Sequence, residues 1–209
     1  VSIIEKKQDL SKYRDLHWEG NFDDYLKIVE ENPQVCRTAF QRLYDMILSY
    51  GSEEYVDGKK KITRFHFFSD PIGKGKDAVF GLDLPLHKMV NVFKSAAQGY
   101  GTERRVILLH GPVGSAKSTI VRLLKKGLEA YSRRPEGALY TFTWKVSKND
   151  VPGQVIHAEE MDCPMHEEPL HIIPQEFRGE ILSSLNKKTK GSYRLGVAGA
   201  LCPACRQIY

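Results

Sequence analysis

The chain has no uninterrupted apolar stretch approaching the roughly 20 residues that span a bilayer, and no basic-then-apolar leader. Both absences lead to the expectation of a cytoplasmic protein without a membrane partner. Low-complexity runs and internal repeats are missing as well, which sets aside solenoids and disordered tails. Basic residues exceed acidic ones by only five, and the clusters Lys59-Lys60-Lys61, Arg133-Arg134 and Lys187-Lys188 are short and scattered. With no nucleic-acid-binding motif beside them, they read as solvated faces, and no specific nucleic-acid partner is expected. Cysteine is scarce, at four residues, and tryptophan scarcer, at two.

What remains is a chain of 209 residues, 41% hydrophobic and 27% charged, ordinary for a soluble globular domain. Asn21 is suited to cap a helix beginning Phe22-Asp23-Asp24, with two acids in its first turn. After Asn32-Pro33, the positions Val35, Ala39, Leu43, Met46, Ile47 and Tyr50 mark one face of a second helix that Gly51 can end. Residues 59–68 read as a strand or hairpin, followed by a turn at Asp70-Pro71-Ile72-Gly73-Lys74-Gly75. An amphipathic segment, Leu84 to Ala97, is closed by Gly99, and a short helix is expected to start at Pro174.

The most informative segment is Gly111-Pro112-Val113-Gly114-Ser115-Ala116-Lys117-Ser118, a near-match to the phosphate-binding P-loop. Arg104 to His110 before it is an apolar run of buried-strand type, and Thr119 to Leu128 after it carries apolar residues at helical spacing. A Gly-containing turn between strand and helix points successive backbone N–H groups at one place, and the helix adds the positive end of its dipole. Lys117 is then placed to reach the β- and γ-phosphates of ATP, and the Ser118 hydroxyl to complete a Mg²⁺ shell. The usual pattern has Gly where this chain has Ala116; if that position requires positive φ, its Cβ costs about 1–2 kcal/mol. A second strand, 137–144, is expected beside the first in a parallel sheet. For the acid that would hold Mg²⁺ from another strand, the run Val155-Ile156-His157-Ala158-Glu159-Glu160 offers a weak match, short and interrupted by a polar His.

Three of the cysteines fall in two short motifs, Cys163-Pro164-Met165-His166 and Cys202-Pro203-Ala204-Cys205, separated by 35 residues. One reading is a Cys₃His structural zinc site on Cys163, His166, Cys202 and Cys205. The other is ordinary reduced thiols, with His166 in a polar loop beside Glu167, Glu168 and His171. A redox role for Cys202 and Cys205 lacks the strand-then-helix setting such a motif requires. Cys36 reads as a small core residue.

Several segments, Trp18-Glu19-Gly20 with Phe22 and Tyr25-Leu26, Phe80-Gly81-Leu82, Gly111 through Thr119, Leu124 through Tyr131, Cys163 through Pro174, and Leu201 through Arg206, can be taken together. In this order they resemble the PrkA family of bacterial serine protein kinases, specifically its amino-terminal AAA domain. The P-loop alone would be generic, whereas Cys163-Pro164-Met165-His166-Glu167-Glu168-Pro169-Leu170-His171 is far more specific. The resemblance implies an α/β fold of P-loop NTPase type, a parallel sheet flanked by helices, with an amino-terminal helical and linker segment (1–75). The AAA-type domain (76–209) would carry a Cys/His-containing insertion over 150–209. It implies Mg·ATP as cofactor, an adenine pocket lined by Phe80, Gly81 and Leu82, and a nucleotide loop spanning Gly111, Pro112, Val113, Gly114, Ser115, Ala116, Lys117, Ser118 and Thr119. It also implies a protein substrate phosphorylated on serine, and a homo-oligomer in the full-length protein. Family members are longer, with the second Mg²⁺-site acid, the sensor and the arginine-finger segments further on. A chain that runs from Val1 to Tyr209 is therefore expected to be a fragment that stops before the end of its domain. The alternative activity is an AAA ATPase that remodels or degrades protein partners without kinase activity. No H-R-D or D-F-G motif of ordinary protein kinases is present, so no catalytic base is named.

Overall fold

A computed structural model describes residues 17–145, 160–188 and 193–209. They form two units, one of residues 17–33, 140–145, 160–188 and 197–209 and the other of residues 34–139 and 193–196. No helix among the described residues is long and apolar enough to cross a membrane.

The first α-helix of the unit containing the P-loop is α2, Ala39–Leu48, so numbered because α1, Phe22–Glu31, belongs to the other unit. α2 begins where Thr38 accepts the Gln41 amide and Gln41 returns a bond to the Thr38 amide, a reciprocal cap that satisfies two N–H groups the first turn leaves over. Gly51, at φ +84°, ends it and turns the chain into a hairpin of β1, Ser52–Asp57, and β2, Lys60–Phe65. The hairpin thus covers residues upstream of the expected 59–68, because β1 is charged and exposed and carries no apolar alternation to reveal it. Helix α3 spans Asp83–Ala97 and α4 spans Lys117–Ser132. Met46, Ile47, Phe67, Phe68, Leu86, Val90, Phe93, Ile120 and Leu123 bury together as the core of this unit. Gly127 lies in mid-helix on α4 because Phe67 and Met46 press against it: a Cβ there would sit 2.6 Å from Phe67 Cε2 and 2.8 Å from Met46 Sδ.

Two buried charged residues tie the unit together. The Arg42 guanidinium donates to the Gly137 carbonyl at 2.6 Å, the Ala138 carbonyl at 3.3 Å and the Ser132 hydroxyl at 3.0 Å, holding the chain that leaves α4. Asp70, at φ +54° and 1% exposed, accepts from the amides of Gly73 at 2.8 Å and Asp77 at 2.9 Å and pairs with Lys126 on α4 at 3.1 Å.

The sheet departs from expectation. Among the described residues both sheets are two-stranded and antiparallel, β1 with β2 and, in the other unit, β3 (Thr143–Lys145) with β4 (Glu160–Asp162). The run expected to be the P-loop strand forms no strand, and of its apolar side chains Leu109 packs against the core while Val106 is 96% and Leu108 82% exposed. A parallel strand holds its extended form because neighbours take its amides and helices cover both faces, and no described segment does either for 106–110. The expected strand 137–144 is likewise reduced to Thr143-Trp144-Lys145, since Pro135–Gly137 form a 3₁₀ turn and Leu139 is exposed.

In the other unit, Asn21 caps α1 by accepting the Asp24 amide at 2.9 Å. Helix α5, Gln175–Lys188, follows Pro174, and α6, Pro203–Ile208, follows Cys202. Trp18, Tyr25 and Tyr140 pack edge-on or tilted at 5.4–5.5 Å between centroids.

Candidate functional site

Residues 111–116 turn directly into α4, and the helix starts without a side-chain cap. Gly114 at φ +84° and Ala116 at φ +56°, ψ +13° give the turn its left-handed steps. The backbone at Ala116 is therefore in the region that favours glycine, and the methyl is accommodated by packing against the core. The amides of Gly114, Ala116, Lys117 and Ser118 donate to no acceptor among the described residues, and the Ser118 hydroxyl is exposed and equally without a partner. Lys117 folds back over the turn, its ammonium donating to the carbonyls of Gly111 at 2.9 Å and Pro112 at 2.6 Å and to the Ser115 hydroxyl at 2.8 Å. One short stretch thus concentrates free N–H donors, a helix N-terminus, an ammonium group and a hydroxyl, the donor set that suits a polyphosphate with its cation. Phosphate oxygens would have to take over the lysine donors that the loop's own carbonyls and Ser115 now accept. Val113, fully exposed, adds no polar group.

The loop expected to line an adenine pocket precedes α3. Phe80 is 83% exposed, Gly81 takes φ +70°, and Leu82 packs onto the same core cluster as Ala116 and Ile120. This loop is held relative to α4 by the Asp70–Lys126 pair and by Arg122, which donates to both carboxylate oxygens of Asp77, at 2.6 and 3.3 Å. Burial pushes the Asp70 carboxyl up, but the amides of Asp77 and Gly73 and the Lys126 ammonium outweigh it, so the pKa lies below the usual carboxylate value. Sequence reasoning missed Asp70, Asp77, Arg122 and Lys126. Only the turn signal at Asp70-Pro71 and the basic residues on α4 pointed toward them.

Of the Val155–Glu160 run, residues 155–159 lie outside the described residues. Glu160 opens β4, exposed and paired with Lys145 at 3.2 Å.

The cysteine motifs converge within their own unit. Cys163, Cys202 and Cys205 are buried together with Leu201, with Phe142, Trp144 and Ala204 packed around them. The fourth donor beside the thiols is the Glu167 carboxylate, and the four ligand atoms lie within 4.8 Å of one another. The expected His166 is exposed and takes φ +48°, outside that group. Burial, with further contributions from Cys202 and Cys163, pushes the Cys205 thiol up to about 12.

Both places fall inside a recognisable family. Residues 20–208 match the PrkA AAA domain, and the chain belongs to that family of AAA-type modules. It is 38% identical over 197 residues to the "ATP-dependent protease PrkA" of Bacillus subtilis (strain 168), covering 92% of this chain and 26% of that protein. It is also 36% identical over 104 residues to an "Uncharacterized protein in gldA 5'region" of Geobacillus stearothermophilus, covering 49% of this chain and 94% of that protein. The chain therefore spans about a quarter of the length of the Bacillus relative. No solved structure matches it.

Proposed function

We propose that the chain binds Mg·ATP at Gly111–Thr119, with Phe80, Gly81 and Leu82 against the base, and that within a longer cytoplasmic, homo-oligomeric protein the hydrolysis of that ATP drives work on a protein substrate. The observation that carries the reading is the uncapped start of α4, where free amides, Lys117 and the Ser118 hydroxyl converge. Bound Mg²⁺ would supply charge neutralisation between the β- and γ-phosphates. The residues of this chain would do the positioning: the amides fix the phosphate oxygens, Lys117 adds one point charge, and Ser118 orients the cation through its hydroxyl.

Two kinds of work are compatible with that site. Transfer of the γ-phosphoryl to a protein serine follows from the resemblance to serine kinases, but the chain offers no H-R-D or D-F-G motif for that step. ATP-driven remodelling or degradation is supported by the name of the Bacillus relative, an ATP-dependent protease, and is the reading preferred here. The complete protein, incubated with ATP and casein and followed by mass spectrometry, separates the two. ATP-dependent casein fragments that vanish in Lys117→Ala support degradation. Intact casein carrying phosphoserine would replace it with the kinase, and unchanged ATP would overturn both.

A further inference from the structure

The nucleotide reading makes no use of the three buried thiols. Cys163 and Cys205 are fully buried and Cys202 is 7% exposed, yet a carboxylate has been placed among them. Glu167 Oε2 stands 3.6 Å from Cys163 Sγ and accepts the Cys202 amide at 2.9 Å. Three thiols packed only as small apolar groups would have no use for a carboxylate oxygen beside them, because placing it there costs solvation. A tetrahedral zinc with Zn–S bonds of about 2.3 Å sets its sulfurs about 3.8 Å apart. The four ligand atoms, all within 4.8 Å of one another, need to contract only slightly to meet that geometry.

We propose that Cys163, Cys202, Cys205 and Glu167 hold one Zn²⁺ ion as a closed structural site. Binding forms three Zn–S bonds and one Zn–O bond. The three S–H protons leave to solvent, and no group is oxidised or reduced. The resulting centre carries net negative charge, and the surrounding N–H groups answer it. The Glu167 amide donates to Cys163 Sγ and the Cys205 amide to Cys202 Sγ, each at 3.4 Å, while the Cys202 amide holds the carboxylate. The indole Nε1 of Trp144 is buried without an acceptor at hydrogen-bonding distance although it lies beside Cys205. Such a donor is what a metal-bound thiolate takes up in its outer shell.

The scaffold behind the ligands is also polar and satisfied. The buried Arg178 on α5 donates to the carbonyls of His171 and Ile173, both at 2.8 Å, and to that of Gly199. His171 lies between the carbonyls of Glu168 and Ala198, at 3.0 and 3.2 Å. These contacts bring the segment before Cys202 alongside the turn that carries Cys163 and Glu167, so both halves of the site are positioned by groups other than the ligands. With all four positions filled from the protein, the ion has no open coordination place and serves to join the two segments.

The test uses the full chain, purified without chelator. Metal analysis is expected to give about one zinc per chain. After stripping, titration with Co²⁺ is expected to produce a sulfur-to-metal charge-transfer band of three-thiolate intensity together with tetrahedral ligand-field bands. In competition with a chromophoric chelator, Glu167→Gln should weaken zinc binding tenfold or more, and His166→Ala should leave it unchanged. Absence of both zinc and the Co²⁺ charge-transfer band overturns the site, as does a Cys202–Cys205 disulfide in the native protein. Equal losses for the two variants, or a loss in His166→Ala alone, overturn the assignment of Glu167. The Co²⁺ titration needs only the unmutated chain, so the proposal stays testable if cysteine variants do not fold.

Discussion

The P-loop turn and the cysteine cluster solve opposite problems. The first presents chemistry outward: its donors are main-chain amides from consecutive residues, left without partners at the start of α4. The second turns chemistry inward: its donors are side chains from two distant segments, buried and enclosed by Phe142 and Trp144. The open site needs a rigid seat behind it, because several of its amides bond to nothing within the turn, whereas the closed site can be its own seat. Positioning of the P-loop is accordingly found away from it, in Asp70, Lys126 and the Gly127 contact.

If that contrast holds, the open site should suffer most from changes behind it. The largest effect is expected at Asp70→Ala, which leaves the Gly73 and Asp77 amides and the Lys126 ammonium without their acceptor, at a cost of about 3 kcal/mol in urea unfolding. The same carboxylate predicts a pH dependence. Its pKa is depressed in the folded chain, so its contribution is fully present above the unfolded carboxylate value of about 4 and is lost as pH falls through the lower folded one. Asp70→Asn should flatten that acid-side loss; an unaltered profile would detach Asp70 from the seat.

Next comes Gly127→Ala. Its Cβ would meet Phe67 and Met46 inside 3 Å, and overpacking of this kind outweighs the gain in helix propensity by about 1–2 kcal/mol. A stabilised variant would mean that α4 does not need its close approach. Smallest is Ala116→Gly, which removes a methyl from a left-handed residue. Stability should rise by at most about 1 kcal/mol, with ATP affinity equal or higher in a calorimetric titration. A clear loss of affinity would show that the methyl helps shape the loop.

The same contrast explains what could be read from the sequence. The helix caps at Asn21 and Gly51, the α3 and α4 spans and the P-loop turn are local, each written in neighbouring residues, and α1, α3 and α4 are present where expected. The Thr38–Gln41 capping box was equally local and was overlooked. The expected parallel sheet was inferred from apolar runs such as 104–110, but pairing depends on partners that such a run does not name, and here Val106 and Leu108 stay uncovered. In the cysteine cluster the spacing pointed to three of the four residues brought together. It favoured His166 over its neighbour because two-residue spacing is the common ligand pattern, while the left-handed turn at His166 leaves Glu167 beside the thiols. That choice is made by backbone geometry, which residue type alone does not display. Asp70 was invisible for a similar reason: its partners lie three, seven and 56 residues away.

The most direct measurement is a calorimetric titration of the chain with Mg·ATP, set against Lys117→Ala. Saturable binding to the unmutated chain and at least a tenfold weakening in the variant, about 1.4 kcal/mol, are expected, because the Lys117 ammonium that lies over the turn is removed. Equal affinities, or no binding by either protein, would contradict the assignment of the α4 N-terminus as a nucleotide site.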